Sequence, residues 1–157
     1  MSFRFYMIFL SMTYSLTCTA QKESIRWINF EQLEDSLTIR PKKVFVHFYT
    51  DWCTYCKKMD EAAFKNASVI KLLNTKYYAV KMNAESRDTI TFGGKQFINK
   101  NIGKSRTPFH EIPLLLGSKE NQPFTLPVTI ILSKQLTITK QLNEYLSTQK
   151  TINILIE

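Results

Sequence analysis

Hydrophobic side chains follow helical spacing in some parts of the chain and form compact runs in others. From Phe30 onward they recur every three or four positions, at Phe30, Leu33 and Leu37, which predicts an amphipathic helix ending before Pro41. Residues 44–49 are β-branched and aromatic without interruption, apart from one histidine, which is typical of a buried central strand.

The next two segments predict a crossover unit. Apolar positions in residues 53–74 lie mostly at helical spacing, with a break near residues 66–68 that suits a second capped helix. Residues 77–82 form another strand-like run. A strand, a helix and a second strand in this order predict a parallel pair of strands joined by a helix.

The remaining part of the chain predicts a hairpin, two more strands and two more helices. The hairpin surrounds a Gly-Gly pair. The predicted order of elements is a hairpin at 89–98, a short helix at 109–116, antiparallel strands at 128–132 and 136–142, and a helix at 148–156. Together the segments predict an α/β fold with a central mixed β-sheet flanked by helices.

The first twenty residues differ from the rest and predict a secretory signal peptide. Arg4 precedes an apolar run at 5–10, small residues follow, and polar sequence begins at Gln21. We expect cleavage after Ala20, which leaves residues 21–157 as the mature domain. An uncleaved anchor and a buried N-terminal strand are the alternatives; the run is short for a membrane-spanning helix, which needs about 20 apolar residues.

Cysteine usage depends on this cleavage. Cys18 is a poor match to a lipidated cysteine because Ser15 stands where an aliphatic residue is usual, so a lipoprotein or membrane-anchored form is the less favoured alternative. If Cys18 leaves with the signal, only Cys53 and Cys56 remain. Two cysteines at this spacing cannot join distant loops, and they indicate a redox pair.

The net charge of +8 has a simple interpretation. Basic residues are scattered, which favours a solvated alkaline surface over a nucleic-acid interface, where cations cluster and interleave with aromatic residues. The densest basic group is Lys95, Lys100, Lys104 and Arg106.

The Cys53–Cys56 pair lies where a buried strand ends and a helix begins. A helix N-terminus offers unpaired N–H groups and the positive end of the helix dipole, and both stabilise a thiolate at Cys53. A zinc site would need two more ligands, and His47 and His110 lack the required spacing. A haem site would need a histidine where Lys57 stands. A structural disulfide stays open, although so short a loop gains little from closure.

Residues 52–57, Trp-Cys-Thr-Tyr-Cys-Lys, resemble the active-site segment of the thioredoxin superfamily, and residues 49–59 are similar to its secreted bacterial thioredoxin-like branch. The similarity extends to residues 80–85, to 92–95 and 110–111 within an insert at 84–123, and to 126–129. The resemblance implies a thioredoxin fold, no cofactor or metal, and thiol–disulfide exchange with Cys53 as nucleophile and Cys56 as resolving thiol.

The resemblance also assigns neighbouring residues. It implies that Pro127 is the cis-proline facing the disulfide, that the backbone of Leu126 pairs with substrate, and that Trp52 is an apolar contact beside the disulfide. An ordinary trans proline opening an edge strand, and a Trp52 that only packs, are the alternatives.

Two positions depart from the family pattern. His47 stands where the family often has a buried acid that helps to deprotonate the resolving cysteine; a neutral imidazole can do similar work, and a core histidine without that role is equally compatible. The dipeptide Thr54-Tyr55 lacks proline, and this dipeptide tunes the reduction potential.

The expected function is that of an exported, periplasmic thiol–disulfide oxidoreductase, a reductase or isomerase of protein disulfides. We expect a monomer that exchanges with protein thiols and disulfides, receives electrons from a membrane donor and binds no nucleic acid. A thioredoxin-fold binding or chaperone-like module with little redox turnover is the alternative from another class, and a specialised reductant for cytochrome c assembly is a third.

Overall fold

The computed structural model describes residues 23–157, and the predicted signal peptide therefore lies outside the described residues. This part of the chain contains seven strands and five α-helices. The strands are β1 (Trp27–Ile28), β2 (Lys43–Tyr49), β3 (Tyr77–Asn83), β4 (Ile90–Phe92), β5 (Lys95–Phe97), β6 (Val128–Leu132) and β7 (Ile138–Leu142). The helices are α1 (Phe30–Ile39), α2 (Thr54–Glu61), α3 (Ala67–Lys76), α4 (Glu111–Gly117) and α5 (Thr148–Ile156), with a 3₁₀ turn at Ala63–Lys65.

Five strands form one mixed sheet in the order β1-β3-β2-β6-β7. β2 runs parallel to β3, which confirms the predicted crossover unit, and it runs antiparallel to β6. β6 and β7 are antiparallel, as predicted. The separate β4–β5 hairpin turns at Gly93 and Gly94, which both have positive φ, the backbone that a tight two-residue hairpin turn requires.

Side chains on β2 alternate between two cores, one on each face of the sheet. Val44 and Val46 contribute to the core under α1 and α4, whereas Phe45 contributes to the core under α2, α3 and α5. Each of these three side chains is fully buried. Helices on both faces of a mixed sheet confirm the predicted fold class, and this arrangement places the end of β2 at the beginning of α2.

The described chain enters the domain beside the end of α3. Asn74 accepts a hydrogen bond from the Arg26 backbone N–H at 2.9 Å and donates one to the Ser24 carbonyl at 2.9 Å. Asn74 lies just before β3, so residues 23–26 are held at the end of the sheet where β2 and β3 begin. Cys53 follows β2 and lies at the other end.

The elements differ from the sequence expectations mainly at their ends. The two-residue strand β1 was not predicted. α4 begins at Glu111 rather than at 109, and β7 begins at Ile138 rather than at 136, because Leu136 has a positive φ of 61° and leaves extended geometry. Within residues 23–157 no helix is long and apolar enough to span a bilayer.

Candidate functional site

Cys53 and Cys56 form a disulfide at the N-terminus of α2, with their Cα atoms 5.3 Å apart. Cys53 is the N-cap residue, and its Sγ accepts a hydrogen bond from the Cys56 backbone N–H at 3.1 Å. The turn before it is closed by the Cys53 N–H, which donates to the Thr50 carbonyl at 3.2 Å. The helix therefore directs a backbone donor at the sulfur of Cys53, which favours negative charge there.

Two exposed aromatic side chains accompany the disulfide in sequence, Trp52 directly before Cys53 and Tyr55 between the two cysteines. Trp52 is 55% exposed, and its indole N–H donates to Glu85 Oε2 at 3.1 Å. Tyr55 is equally exposed, its ring centroid lies 5.9 Å from that of Tyr145, and Lys58 Nζ lies 5.5 Å from the Tyr55 centroid. The two cysteines are buried. Trp52 and Tyr55 thus offer apolar contact surface next to a shielded disulfide.

The peptide bond between Leu126 and Pro127 is cis, as the family resemblance implied. β6 begins at the next residue, and Val128 pairs with Phe48 near the end of β2. One step further along the antiparallel register, Pro127 reaches the level of Tyr49, beside the loop that leads to Cys53. The fold therefore brings Pro127 and the active-site loop to the same end of the sheet.

His47 is fully buried on the α2 face of the sheet. Its Nδ1 lies 3.4 Å from the Thr129 hydroxyl on the paired strand, and its ring packs against the edge of Phe64 with centroids 5.0 Å apart. Burial, and to a smaller extent the charge of Lys81, lowers the pKa of His47 from about 6.5 to about 3. The imidazole is therefore neutral at physiological pH.

Two buried polar atoms near the disulfide have no hydrogen-bond partner among residues 23–157. They are His47 Nε2 and the hydroxyl of Thr50, three residues apart at the end of β2 and in the following turn. Buried polar groups are satisfied in most folded proteins, so a pair of exceptions beside a reactive disulfide is notable. Thr50 was not among the sequence candidates, and a single threonine gives no signal that would have identified it.

A partly buried ion pair connects the active-site helix to the sheet. Lys81 Nζ on β3 contacts Asp60 Oδ1 on α2 at 2.6 Å, and it also lies 4.7 Å from the ring centroid of Tyr49. Lys81 pairs with His47 across β2 and β3, so both point to the α2 face. This link was also missed by sequence reasoning, because the two charges are separated by 21 positions and no local pattern joins them.

This architecture, with a Cys-x-x-Cys disulfide at a helix N-terminus and a cis-proline before a neighbouring strand, defines a thioredoxin-fold domain. The family model described as thioredoxin-like domain matches residues 31–152, and the chain belongs to this family. The match confirms the resemblance inferred from residues 52–57. Family membership and the cysteine pair together support thiol:disulfide oxidoreductase activity.

Individual relatives are more distant. The chain is 30% identical over 78 residues to the thiol:disulfide interchange protein DsbD of Campylobacter jejuni; this stretch is 47% of the chain and 14% of the relative. A thioredoxin from Thermus thermophilus superposes with a TM-score of 0.58 at 16% identity, covering 85% of each chain. The reduced C-terminal domain of Neisseria meningitidis DsbD gives 0.51 at 18% identity, covering 80% of this chain and 90% of that domain. The two structures show the fold.

Proposed function

We propose that the protein is an exported thiol–disulfide oxidoreductase that reduces or isomerises disulfides of other proteins. The observation that carries the proposal is the Cys53–Cys56 disulfide at the N-terminus of α2, where the Cys56 N–H donates to the Cys53 sulfur. A donor and a helix dipole at this sulfur stabilise the thiolate that thiol–disulfide exchange requires.

The reaction has two displacements. In the reduced protein the Cys53 thiolate attacks a client disulfide; a bond forms between Cys53 and one client sulfur, and the other client sulfur leaves as a thiolate. Cys56, deprotonated, then attacks Cys53 Sγ, re-forms the internal disulfide and releases the second client thiolate. Two electrons pass to the client, so each cycle needs an external reductant, for which we propose a membrane electron donor.

The direction follows from the weakness of thiolate stabilisation. Thr54 and Tyr55 place no cation between the cysteines, and Lys57 and Lys58 follow Cys56 in the chain. The helix terminus alone is a modest effect. We therefore expect a reduction potential of about −200 to −270 mV. Redox titration against glutathione measures it, and a value near about −120 mV, typical of a strong oxidant, would instead assign an oxidase.

We further propose supporting roles for His47, Trp52, Leu126 and Pro127. His47 is neutral and buried under α2, and its Nε2 has no partner among residues 23–157, which suits a group that accepts a hydrogen bond from the Cys56 thiol; with a pKa of about 3 the imidazole does not hold the proton itself. Trp52 contributes apolar contact for a client, and the family resemblance assigns the Leu126 backbone and Pro127 to client binding. Their position at the same end of the sheet as the disulfide supports this assignment.

The cysteine variants test the proposal. Dithiothreitol reduces insulin slowly, and the protein should accelerate this reaction. Cys53→Ser should abolish the acceleration, because it removes the attacking thiolate. Cys56→Ser should leave attack intact but block release, so mixed disulfides should accumulate on a non-reducing gel. Equal inertness of both variants with an unchanged circular dichroism spectrum would indicate a structural disulfide.

The same assay separates the alternative function. A thioredoxin-fold binding or chaperone-like module would suppress aggregation of a client without free thiols or disulfides, such as a reduced, alkylated protein. It would reduce insulin no faster than dithiothreitol alone does. The exposed Trp52 and Tyr55 favour protein contact in either case.

Export is a separate part of the proposal. It rests on the sequence of residues 1–20, and cleavage after Ala20 predicts a mature protein that begins at Gln21. N-terminal sequencing of the protein recovered from a periplasmic fraction tests it. A chain that still begins at Met1, or that carries lipid on Cys18, would contradict a soluble periplasmic form.

A further inference from the structure

A basic surface lies within the insert, and the proposed exchange reaction does not use it. Residues 89–110 contain Lys95, Lys100, Lys104 and Arg106 but no aspartate or glutamate. All four side chains are exposed. We refer to residues 95–106 as the basic segment.

The basic segment is held firmly at its base. The Asn99 side chain is buried and donates to the carbonyls of Ser86, at 3.0 Å, and of Pro108, while the Asn101 side chain donates to the Phe109 carbonyl at 2.8 Å. Glu111 Oε2 accepts a hydrogen bond from the Ile98 N–H at 2.7 Å. These bonds fix the backbone on both sides of residues 100–106, which we call the tip, so the cations of the tip project from an anchored loop.

Most of the positive charge at the tip stays uncompensated. Lys100 forms an ion pair with Glu111, and the hydrogen bond from Ile98 together with this lysine lowers the pKa of Glu111, which keeps the pair charged. Lys104 and Arg106 form no ion pair within residues 23–157. The basic segment therefore carries a net positive charge at neutral pH.

Two isoleucines accompany the cations. Ile98 is 43% exposed and Ile102 is 37% exposed. A surface that combines cations with partly exposed apolar side chains fits a macromolecular partner better than a small anion, since apolar contact adds to the electrostatic attraction.

Two hydrogen bonds, joined through residues 85 and 86, connect the base of the basic segment with Trp52 beside the disulfide. Trp52, next to Cys53, donates to Glu85. The following residue, Ser86, accepts the hydrogen bond from Asn99 inside the segment. The base of the segment is therefore two residues and two hydrogen bonds away from Trp52, so a protein partner large enough to extend past Trp52 can reach the segment while its disulfide lies at Cys53.

We propose that the basic segment is a docking surface for an acidic protein partner that exchanges its disulfide at Cys53, an inference that rests on the proposed function. Complementary charge speeds the encounter of two proteins and orients the partner before contact. A lipid bilayer fits less well, because a bilayer lying against the segment and the adjoining Trp52 rim would cover the disulfide that the partner must reach.

The test compares the unmutated protein with two charge-reversed variants. Lys104→Glu/Arg106→Glu alters the segment. Lys71→Glu/Lys134→Glu makes the same change in net charge at exposed lysines on α3 and in the β6–β7 turn, away from the insert. Each protein is reduced beforehand and mixed with three probes: a peptide with an internal disulfide flanked by glutamates, a matched peptide flanked by lysines, and uncharged hydroxyethyl disulfide.

We expect the unmutated protein to reduce the glutamate peptide about tenfold faster than the lysine peptide in 20 mM salt, with the ratio approaching one in 500 mM salt. The quotient to compare is the reduction rate for the glutamate peptide divided by the rate for hydroxyethyl disulfide. In Lys104→Glu/Arg106→Glu this quotient should fall about tenfold. In Lys71→Glu/Lys134→Glu this quotient should change less than about twofold.

Other outcomes would overturn the docking proposal. Equal losses in the two variants would show an effect of net charge alone, and no preference between the peptides would show that the segment does not select acidic partners. Binding to phosphatidylglycerol vesicles, lost in Lys104→Glu/Arg106→Glu and accompanied by no peptide preference, would assign the segment to a membrane surface. Failure of the unmutated protein to reduce hydroxyethyl disulfide would refute the proposed function itself, and the docking proposal with it.

Discussion

The two buried histidines lie in regions with contrasting hydrogen bonding. In the insert, His110 uses both ring nitrogens: Nδ1 accepts from the Ile112 backbone N–H at 3.2 Å, and Nε2 lies 3.2 Å from the Asp88 carbonyl. Under the active-site helix, His47 has one long contact at 3.4 Å to Thr129. Its Nε2 has no partner in the described part of the chain.

The contrast separates a structural histidine from one available for chemistry. His110 caps α4 and joins it to the segment after β3, so its hydrogen bonds are used for stability. His47 contributes fewer bonds to the fold, and an unsatisfied neutral nitrogen can still accept a hydrogen bond from a reacting group. Three changes test how far this contrast extends.

Replacing the capping histidine should have the largest effect. His110→Leu removes the cap of α4 and leaves the buried Ile112 N–H without its acceptor, so we expect a loss of about 3 kcal/mol in the free energy of unfolding. Urea denaturation measures this loss. His110→Asn keeps a good capping side chain and should lose only about 1 kcal/mol; an equal loss in both variants would show that the cap contributes little.

Acid should destabilise the protein through His47. The pKa of His47 is about 3 in the folded state and about 6.5 when unfolded, so the unfolded state binds the proton more readily. The resulting stability is fully present above pH 6.5 and is lost as the pH falls toward 3. Between pH 7 and pH 5 this amounts to about 2 kcal/mol.

The control for this pH effect is His47→Gln, which keeps a buried polar side chain that does not titrate. Urea denaturation at both pH values should show a smaller pH dependence in the variant, and the difference between the two proteins isolates His47 from other titrating groups. Parallel stability profiles would contradict the depressed pKa.

The smallest expected effect concerns the second displacement. In His47→Leu the stability at pH 7 should change by no more than about 1 kcal/mol, because the leucine replaces a sparsely bonded polar group. The mixed disulfide with a client should nevertheless persist several-fold longer, on the order of tenfold, since the Cys56 thiol loses a hydrogen-bond acceptor that helps its ionisation. Rapid mixing with acid quench measures that lifetime; an unchanged lifetime would make His47 a core histidine only.

The sequence was most informative where local chemistry determines local structure. The Gly93-Gly94 pair predicted a hairpin because both residues adopt positive φ. The break near residue 66 was predicted because Asn66 is a good N-cap, and its side chain accepts from the N–H groups of Ser68 and Val69. The cysteine pair was identified from its position between a strand and a helix.

Features that depend on distant residues could not be predicted. His110 is an unusual helix cap, and its role becomes visible only once Asp88 and Ile112 are brought together. The Lys81–Asp60 pair joins β3 to α2 without any sequence pattern. The strand β1 has two residues and pairs only with β3, so its periodicity is too short to detect.

The anchoring of residues 23–26 by Asn74 determines how the domain is presented to its surroundings. The backbone enters at the edge where β2 and β3 begin, and the seven residues of β2 separate that edge from the cysteines. At about 3.3 Å per residue, β2 spans about 23 Å. A support joined to the chain at residues 23–26 would therefore lie at the end of the sheet opposite Cys53, with the disulfide turned away from it.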